Sequence, residues 1–302
     1  VTERARAMLI HGGLFVACCI TTTIFGYMDR ERLSDGLAFS GTLMGILLCH
    51  ELGHFIVARR RGVEVSLPYF IPLPPLLTLG TMGAVIRMNK PIRDRAALFD
   101  VGAAGPIAGL VVAIPLLVIG LTLSTVGVSP PDGSQEGNSI LYALLKYAVF
   151  GRWLPGDGVD VQLHPMAFAA WVGLLVTMIN LMPIGQLDGG HVARAALGDR
   201  HERLSGRLHI ALLAVAAAVF SAMLIAALHA GRDLAGALSY AKDGAIPWLV
   251  WTALLAWMRR NAGEYHPPVG DVPLDPRRRM LAIGMLVVFL LIATPVPFRQ
   301  IL

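Results

Sequence analysis

LAFSGTLMGILLCHELGHFIVA, residues 37–58, decides how the rest of the chain is read. The stretch is long enough to cross a bilayer, which takes about 20 mostly apolar residues. Its only formally charged residue is Glu51. A carboxylate at that depth is costly and marks a functional site by default. Working outward, comparable apolar stretches recur at 9–27, 96–126, 166–184, 209–229, 246–258 and 280–298. All 25 Lys and Arg residues fall outside these spans, and of the 20 acidic residues only Glu51 and Asp100 fall inside. Asp188 sits just past the fourth span. The expected fold is an all-α polytopic membrane protein with six to seven transmembrane helices.

Composition agrees. Charged residues make up 15% of the chain and hydrophobic ones 55%, against about 25% charged in an average soluble domain. That excludes a disordered chain and argues against a soluble enzyme or a nucleic-acid partner. The net charge of +5 has another cause, because membrane proteins gather Lys and Arg in cytoplasmic loops. Residues 59–95 carry seven basic and two acidic side chains, whereas 127–165 carry two and four. Segments 185–208 and 259–279 are again basic on balance. The alternation predicts that the N-terminus and residues 59–95 face the cytoplasm, and a bacterial plasma membrane is the expected location. The first span lacks a small-residue cleavage site and reads as a retained helix. Cys18, Cys19 and Cys49 have no CxxC spacing and read as buried small residues.

Between the spans, residues 62–90 are too interrupted by Pro68, Pro72, Pro74, Pro75 and Gly80 for a helix. Val63–Leu67 and Thr81–Met88 have strand-like residues, which predicts a small cytoplasmic-side β-hairpin. Asn138–Phe150 is apolar enough to lie along the membrane surface, with Trp153 as an interfacial anchor.

His50-Glu51-Leu52-Gly53-His54 is an HExxH motif. On a helix, positions i and i+4 share a face, so both histidines can reach one cation while Glu51 reaches water beside it. The bland alternative is a buried polar cluster that bridges helices. A zinc hydrolase needs a third protein ligand and an open fourth position. Asp188, in Asn180-Leu181-Met182-Pro183-Ile184-Gly185-Gln186-Leu187-Asp188-Gly189-Gly190, is the best candidate. Pro183 should break the end of the fourth span, and Gly185, Gly189 and Gly190 should let the backbone turn sharply. The competing reading of Asp188 is a solvated loop acid or a helix N-cap. His11, alone in an apolar span, reads as hydrogen-bonded rather than ligating. Asp100 reads as an acceptor near a Gly-rich turn.

The HELGH and NLMPIGQLDGG segments together resemble the site-2 protease family of intramembrane zinc metalloproteases. Gly80-Thr81-Met82-Gly83-Ala84, Asp94-Arg95 and Phe99-Asp100-Val101-Gly102-Ala103-Ala104-Gly105-Pro106 strengthen the likeness. It is especially similar to plastid and cyanobacterial-type members and covers roughly residues 40–195. The resemblance implies one Zn²⁺ per chain, held by His50, His54 and Asp188, with Glu51 as catalytic base. Asn180 and Pro183 then match the LDG motif, and Asn180 would steady an oxyanion or the substrate strand. It also implies transmembrane protein substrates, cut within the bilayer after unwinding. The hairpin, at Gly83, Ala84 and Val85, would pair with the unwound strand. A single integral membrane protease domain over 1–302 follows, with a catalytic core at about 37–195 and peripheral helices at 9–27 and 209–298. No segment outside the membrane is long enough for the PDZ or nucleotide-sensing domain of many members. The upstream acidic motif of many plastid-type members is also missing. Two rival readings stand beside this one: a non-catalytic metal-binding membrane protein and a metal-dependent transporter. Metal content measured with and without proteolysis separates them. Two histidines and a carboxylate would also suit Fe²⁺.

Overall fold

The computed structural model describes residues 3–88, 90–128, 133–156 and 158–300. In chain order these form α1 (Glu3–Arg30), α2 (Leu33–Arg60), β1 (Tyr69–Pro72), β2 (Thr81–Val85), α3 (Arg95–Thr122), β3 (Thr125–Val128), β4 (Ser134–Glu136) and α4 (Ile140–Phe150). There follow β5 (Val159–Gln162), α5 (Pro165–Asn180), α6 (Asp188–Leu197), α7 (Arg200–His229), α8 (Leu234–Ala262), α9 (Pro276–Ile292) and β6 (Phe298–Gln300). The protein is a predominantly helical, polytopic membrane protein. Every expected span overlaps a helix, though 96–126, 166–184 and 280–298 run past the ends of theirs, and not all are equally suited to crossing. Among the described residues, Ala5–Met28, Leu33–Arg60, Arg95–Thr122 and Arg200–His229 are long and apolar enough. With 16 residues in α5 and 17 in α9, both fall short of the usual length. The 246–258 stretch lies in the C-terminal half of α8, a 29-residue helix that also carries Lys242 and Asp243.

Several boundaries differ from expectation. The last helix stops at Ile292 rather than 298, because Pro295 and Pro297 cannot continue it. Residues 298–300 instead form β6, which pairs antiparallel with β4. Gly102–Gly105 lie inside α3 and not in a turn. The first hairpin strand is Tyr69–Pro72, not 63–67, where Val65 makes a single bridge to Met88. Pro68, which has no N–H, separates the two.

The chain divides into two compact units, each discontinuous in sequence. The first draws on residues 1–93, 97–125 and 161–177. Here α1 packs along α2, and their small residues permit close approach. A Cβ on Gly26 would stand 2.7 Å from that of Phe39. Hydroxyls stitch the pair: Thr22 and Ser40 share a 2.7 Å hydrogen bond, and Ser40 also donates to the Cys19 carbonyl. The β1–β2 hairpin docks on α1. His11 Nδ1 donates to the Pro68 carbonyl at 3.0 Å, so this histidine is hydrogen-bonded as expected. Phe15 meets Phe70 edge-on, and Thr21 Oγ1 donates to the Gly80 carbonyl at 2.6 Å. Gly80 has φ +88° and lies so close to the Thr21 backbone that a side chain would not fit. Cys18 is buried beside Thr81, whereas Cys19 and Cys49 are half-buried.

The second unit draws on residues 94–96, 126–160 and 178–302. Its main feature is the α7–α8 pair, joined by a short turn in which Asp233 caps α8 through the Gly236 N–H. One apolar core gathers Val219, Met223, Ala227, Ala237, Tyr240 and Ala241; another gathers Met182, Ile184, Leu212, Leu255 and Tyr265. Within the stretch 138–150, Ile140–Phe150 form helix α4, capped by Ser139, and the helix buries Tyr142 and Lys146. Trp153 is exposed and lies against Tyr147. Lys146 is fully buried, 3.4 Å from Asp160 and 3.8 Å from Glu136. Tyr142 donates to Glu136 at 2.8 Å. Burial pushes the Glu136 carboxyl above the usual carboxylate range, and the nearby Lys146 ammonium only partly offsets this.

Candidate active site

Helix α2 is buried nearly all round between Phe39 and Leu47, and toward its C-terminal end burial narrows to one face that carries Leu47, His50, Glu51, His54 and Ala58. That is an i, i+3, i+4 stripe. Asp35 in the first turn and Arg59 and Arg60 in the last complement the helix dipole. The HExxH residues therefore sit on the inward side, with His50 2%, Glu51 7% and His54 8% exposed. Their Nε2 atoms stand 3.2 Å apart. Two nitrogens bound at about 2.0–2.1 Å in a tetrahedral zinc site lie roughly 3.3 Å from each other. The pair thus fits a zinc ion.

The protonation pattern of His54 fits as well. Its Nδ1 lies 2.7 Å from the Val101 carbonyl, which can only accept. Nδ1 therefore carries the proton, and Nε2 keeps its lone pair for a metal. This is the outer contact that orients metal-bound histidines generally. Glycines in α3 make room for it. A Cβ on Gly105 would run into the His54 ring, and one on Gly109 would stand 3.2 Å from His50 Nδ1. On the α2 side, a Cβ at Gly53 would come within 2.6 Å of the Ala104 carbonyl. Gly105→Ala is expected to displace His54 from Val101 and weaken zinc binding by roughly 10–100-fold. Equilibrium dialysis with Zn²⁺ measures this; unchanged affinity would mean that α3 does not position His54.

Asn180, Pro183 and Asp188 belong to the second unit. Helix α5 ends at Asn180, and Met182–Leu187 turn through short backbone hydrogen bonds. Asp188 opens α6, half-buried, with Leu187 as N-cap, so Asp188 stands one residue inside the cap position. The positive end of α6 favours a carboxylate there. Of the three glycines expected to turn the chain, only Gly185 does so, with φ +62°. Gly189 and Gly190 are helical instead. Side chains on them would collide with the carbonyls of Leu181 and Gly185, so they let α6 begin directly against the preceding turn.

The turn has a rear support that sequence reasoning did not assign. Ser205 of α7 accepts the Gly185 N–H at 3.3 Å and bonds His201 Nε2 at 3.0 Å. His191 donates through Nδ1 to His266 Nε2 at 2.7 Å, because the Pro267 carbonyl fixes the His266 proton on Nδ1. Burial lowers the His266 pKa below the ordinary imidazole range and keeps that ring neutral. The small-residue spacing Gly105, Gly109, Ala113 was the readable signal for the α3 contact. No comparable signal marked Ser205 or His266.

Asp100 pairs with Arg61 at the end of α2, which accounts for this second intramembrane acid without a metal. Gly83, Ala84 and Val85 lie on β2, with Val85 opposite Tyr69 and Ala84 opposite Phe70. The Val85 side chain is exposed, and Gly83 has φ +96°.

The profile of Peptidase family M50 matches residues 38–225. The chain is 36% identical over 165 residues to the Arabidopsis thaliana protein named "Probable zinc metalloprotease EGY1, chloroplastic", covering 52% of this chain and 29% of that one. It is 31% identical over 279 residues to the Arabidopsis EGY2 protein of the same description, covering 89% of this chain and 44% of that one. The chain thus spans less than half the length of these curated relatives. The matched span holds α2 with its histidine pair, the α3 glycines and the Asp188 turn, and with more than half its length under that profile the chain belongs to peptidase family M50.

Proposed function

We propose that the protein is a zinc endopeptidase that cuts transmembrane segments of other membrane proteins. One Zn²⁺ is held by His50, His54 and Asp188. The observation that carries this reading is the His50–His54 pair, spaced for zinc and with the His54 tautomer set by Val101. The family match and the LDG turn support the third ligand. Zinc bound there supplies Lewis acidity toward water and the scissile carbonyl. Glu51, next to His50 and buried, takes the proton of the attacking water and hands it to the leaving amine. Asn180 and Pro183, which frame the LDG turn, help hold the substrate strand or its oxyanion. The catalytic core covers about 37–195 of a single protease domain. The basic loops favour placing both motifs at the cytoplasmic face of a bacterial plasma membrane; the relatives named above are chloroplastic.

The test is cleavage of a single-span reporter by the full chain in a bilayer. Cleavage that disappears with a zinc chelator and returns with Zn²⁺ is expected. Bound zinc without cleavage favours a structural metal site, and ion flux without cleavage favours a transporter. Comparative membrane proteomics of wild type and Glu51→Gln then identifies which single-span proteins accumulate uncut.

The hairpin is proposed to act on substrate and not on metal. An unwound peptide has free N–H and C=O groups that need partners where water is scarce, and a strand edge supplies them. Val85→Pro removes one strand donor. It is expected to lower cleavage about tenfold or more with zinc content near wild type. Because Val85 is registered with Tyr69, thermal stability must be read alongside. The defect should shrink on substrates with helix-breaking residues near the cut. Equal rates for mutant and wild type on both substrates make residues 62–90 a connector only.

A further inference from the structure

Helices α7 and α8 line an open hollow of about 450 Å³ where α7 begins and α8 ends. It adjoins a second of about 330 Å³, the two sharing His209 and Arg259. Arg203, Arg207, Arg259 and Arg260 line these hollows. Among the described residues, none of the four forms an ion pair. Arg259 and Arg260 sit in the last turn of α8, where a cation is favoured. Arg203 and Arg207 have no such reason, since they occupy the first two turns of α7, its positive end. The nearest carboxylate in sequence, Glu202, accepts the Tyr265 N–H with both oxygens, at 3.2 and 3.1 Å. Glu264 lies in the adjoining loop and is not part of either lining.

The rear wall is held by side-chain contacts. Arg259 lies 4.5 Å from the centre of the Tyr265 ring. His209 Nε2 donates to the Thr252 carbonyl at 2.9 Å, so its Nδ1 accepts the Tyr265 hydroxyl, also at 2.9 Å. Next along α7 come Ile210 and Leu213, 71% and 48% exposed, which continue the arginine stripe as an apolar track. Trp257, exposed two residues before Arg259, is the kind of residue that marks headgroup depth.

We propose that this hollow binds the phosphate of an anionic membrane lipid. Guanidinium forks match phosphate oxygens, basic pockets between membrane helices suit such headgroups, and Ile210 and Leu213 receive an acyl chain. Its lining includes none of the proposed zinc residues, and the proposal does not depend on protease activity.

The test is native mass spectrometry of the full chain in neutral detergent, titrated with phosphatidylglycerol, phosphatidylcholine or sn-glycerol 1-phosphate. Wild type should retain one phosphatidylglycerol in preference to phosphatidylcholine. Arg203→Gln/Arg207→Gln/Arg259→Gln should weaken it on the order of 100-fold. Lys242→Gln/Arg277→Gln/Arg279→Gln, which removes the same charge elsewhere, should stay near wild type. If the first variant does not fold, Arg203→Gln alone should weaken binding roughly fivefold. Three results overturn the proposal: no preference for phosphatidylglycerol, equal weakening by both triple variants, or glycerol phosphate binding as tightly as the lipid. The last would make the hollow a soluble-anion site. A wild-type affinity in Arg203→Gln would also count against it.

Discussion

Glu51→Gln is expected to keep about one zinc per chain and to lower cleavage by roughly 10²–10⁴-fold, the usual contribution of a general base. The amide has nearly the size of the carboxylate, so α2 and its buried face should be undisturbed. It cannot take a proton from water at neutral pH. The ligand atoms of His50 and His54, the Val101 contact and the α3 glycines all stay in place. Metal content by mass spectrometry and cleavage of the single-span reporter are measured on the same preparation. Turnover within tenfold of wild type removes Glu51 from its role. Loss of zinc together with activity shows instead that Glu51 serves the metal site and not the proton transfer.

Asp188→Ala is expected to lose both zinc and activity. Removing an outer partner of a metal ligand commonly costs 10–100-fold in affinity, and a direct ligand should cost at least the upper end of that range. Asp100→Asn is the matched control. It also neutralises an acid in a membrane helix, but Asp100 is paired with Arg61. Its zinc content should remain at wild type. Asp188 also opens α6, where the helix dipole alone favours a carboxylate. The two roles separate by their readouts. A helix-start acid changes stability by up to about 1 kcal/mol and leaves metal affinity alone. If purified Asp188→Ala binds zinc as tightly as wild type, the third ligand lies elsewhere and the family-type site is wrong at that position.

Much of the helical layout was legible before any coordinates, because a bilayer span needs a long uncharged run. The positions of α1, α2, α3, α7 and the C-terminal half of α8 follow from where Lys and Arg are missing. Errors fell where proline and strand geometry competed. Pro295 and Pro297 ended α9 early, and Pro68 moved the first hairpin strand to Tyr69–Pro72. The short strands after α3 were not expected at all. They are three or four residues long, too short for an alternating pattern to stand out.

By itself the sequence determined the histidine pair, because four residues of helix bring His50 and His54 to one face regardless of context. It also singled out Asp188 through an acid beside proline and glycine at a span's end. Only the tertiary structure decided what those side chains are ready to do. The His54 tautomer depends on a carbonyl 47 positions away, reached because Gly105 has no side chain. The closeness of α6 to the preceding turn depends on Gly189 and Gly190 meeting carbonyls rather than on any turn preference. Hydrogen-bond direction and close backbone approach are properties of packed neighbours. No local pattern encodes them, and so they became readable only once the helices were assembled.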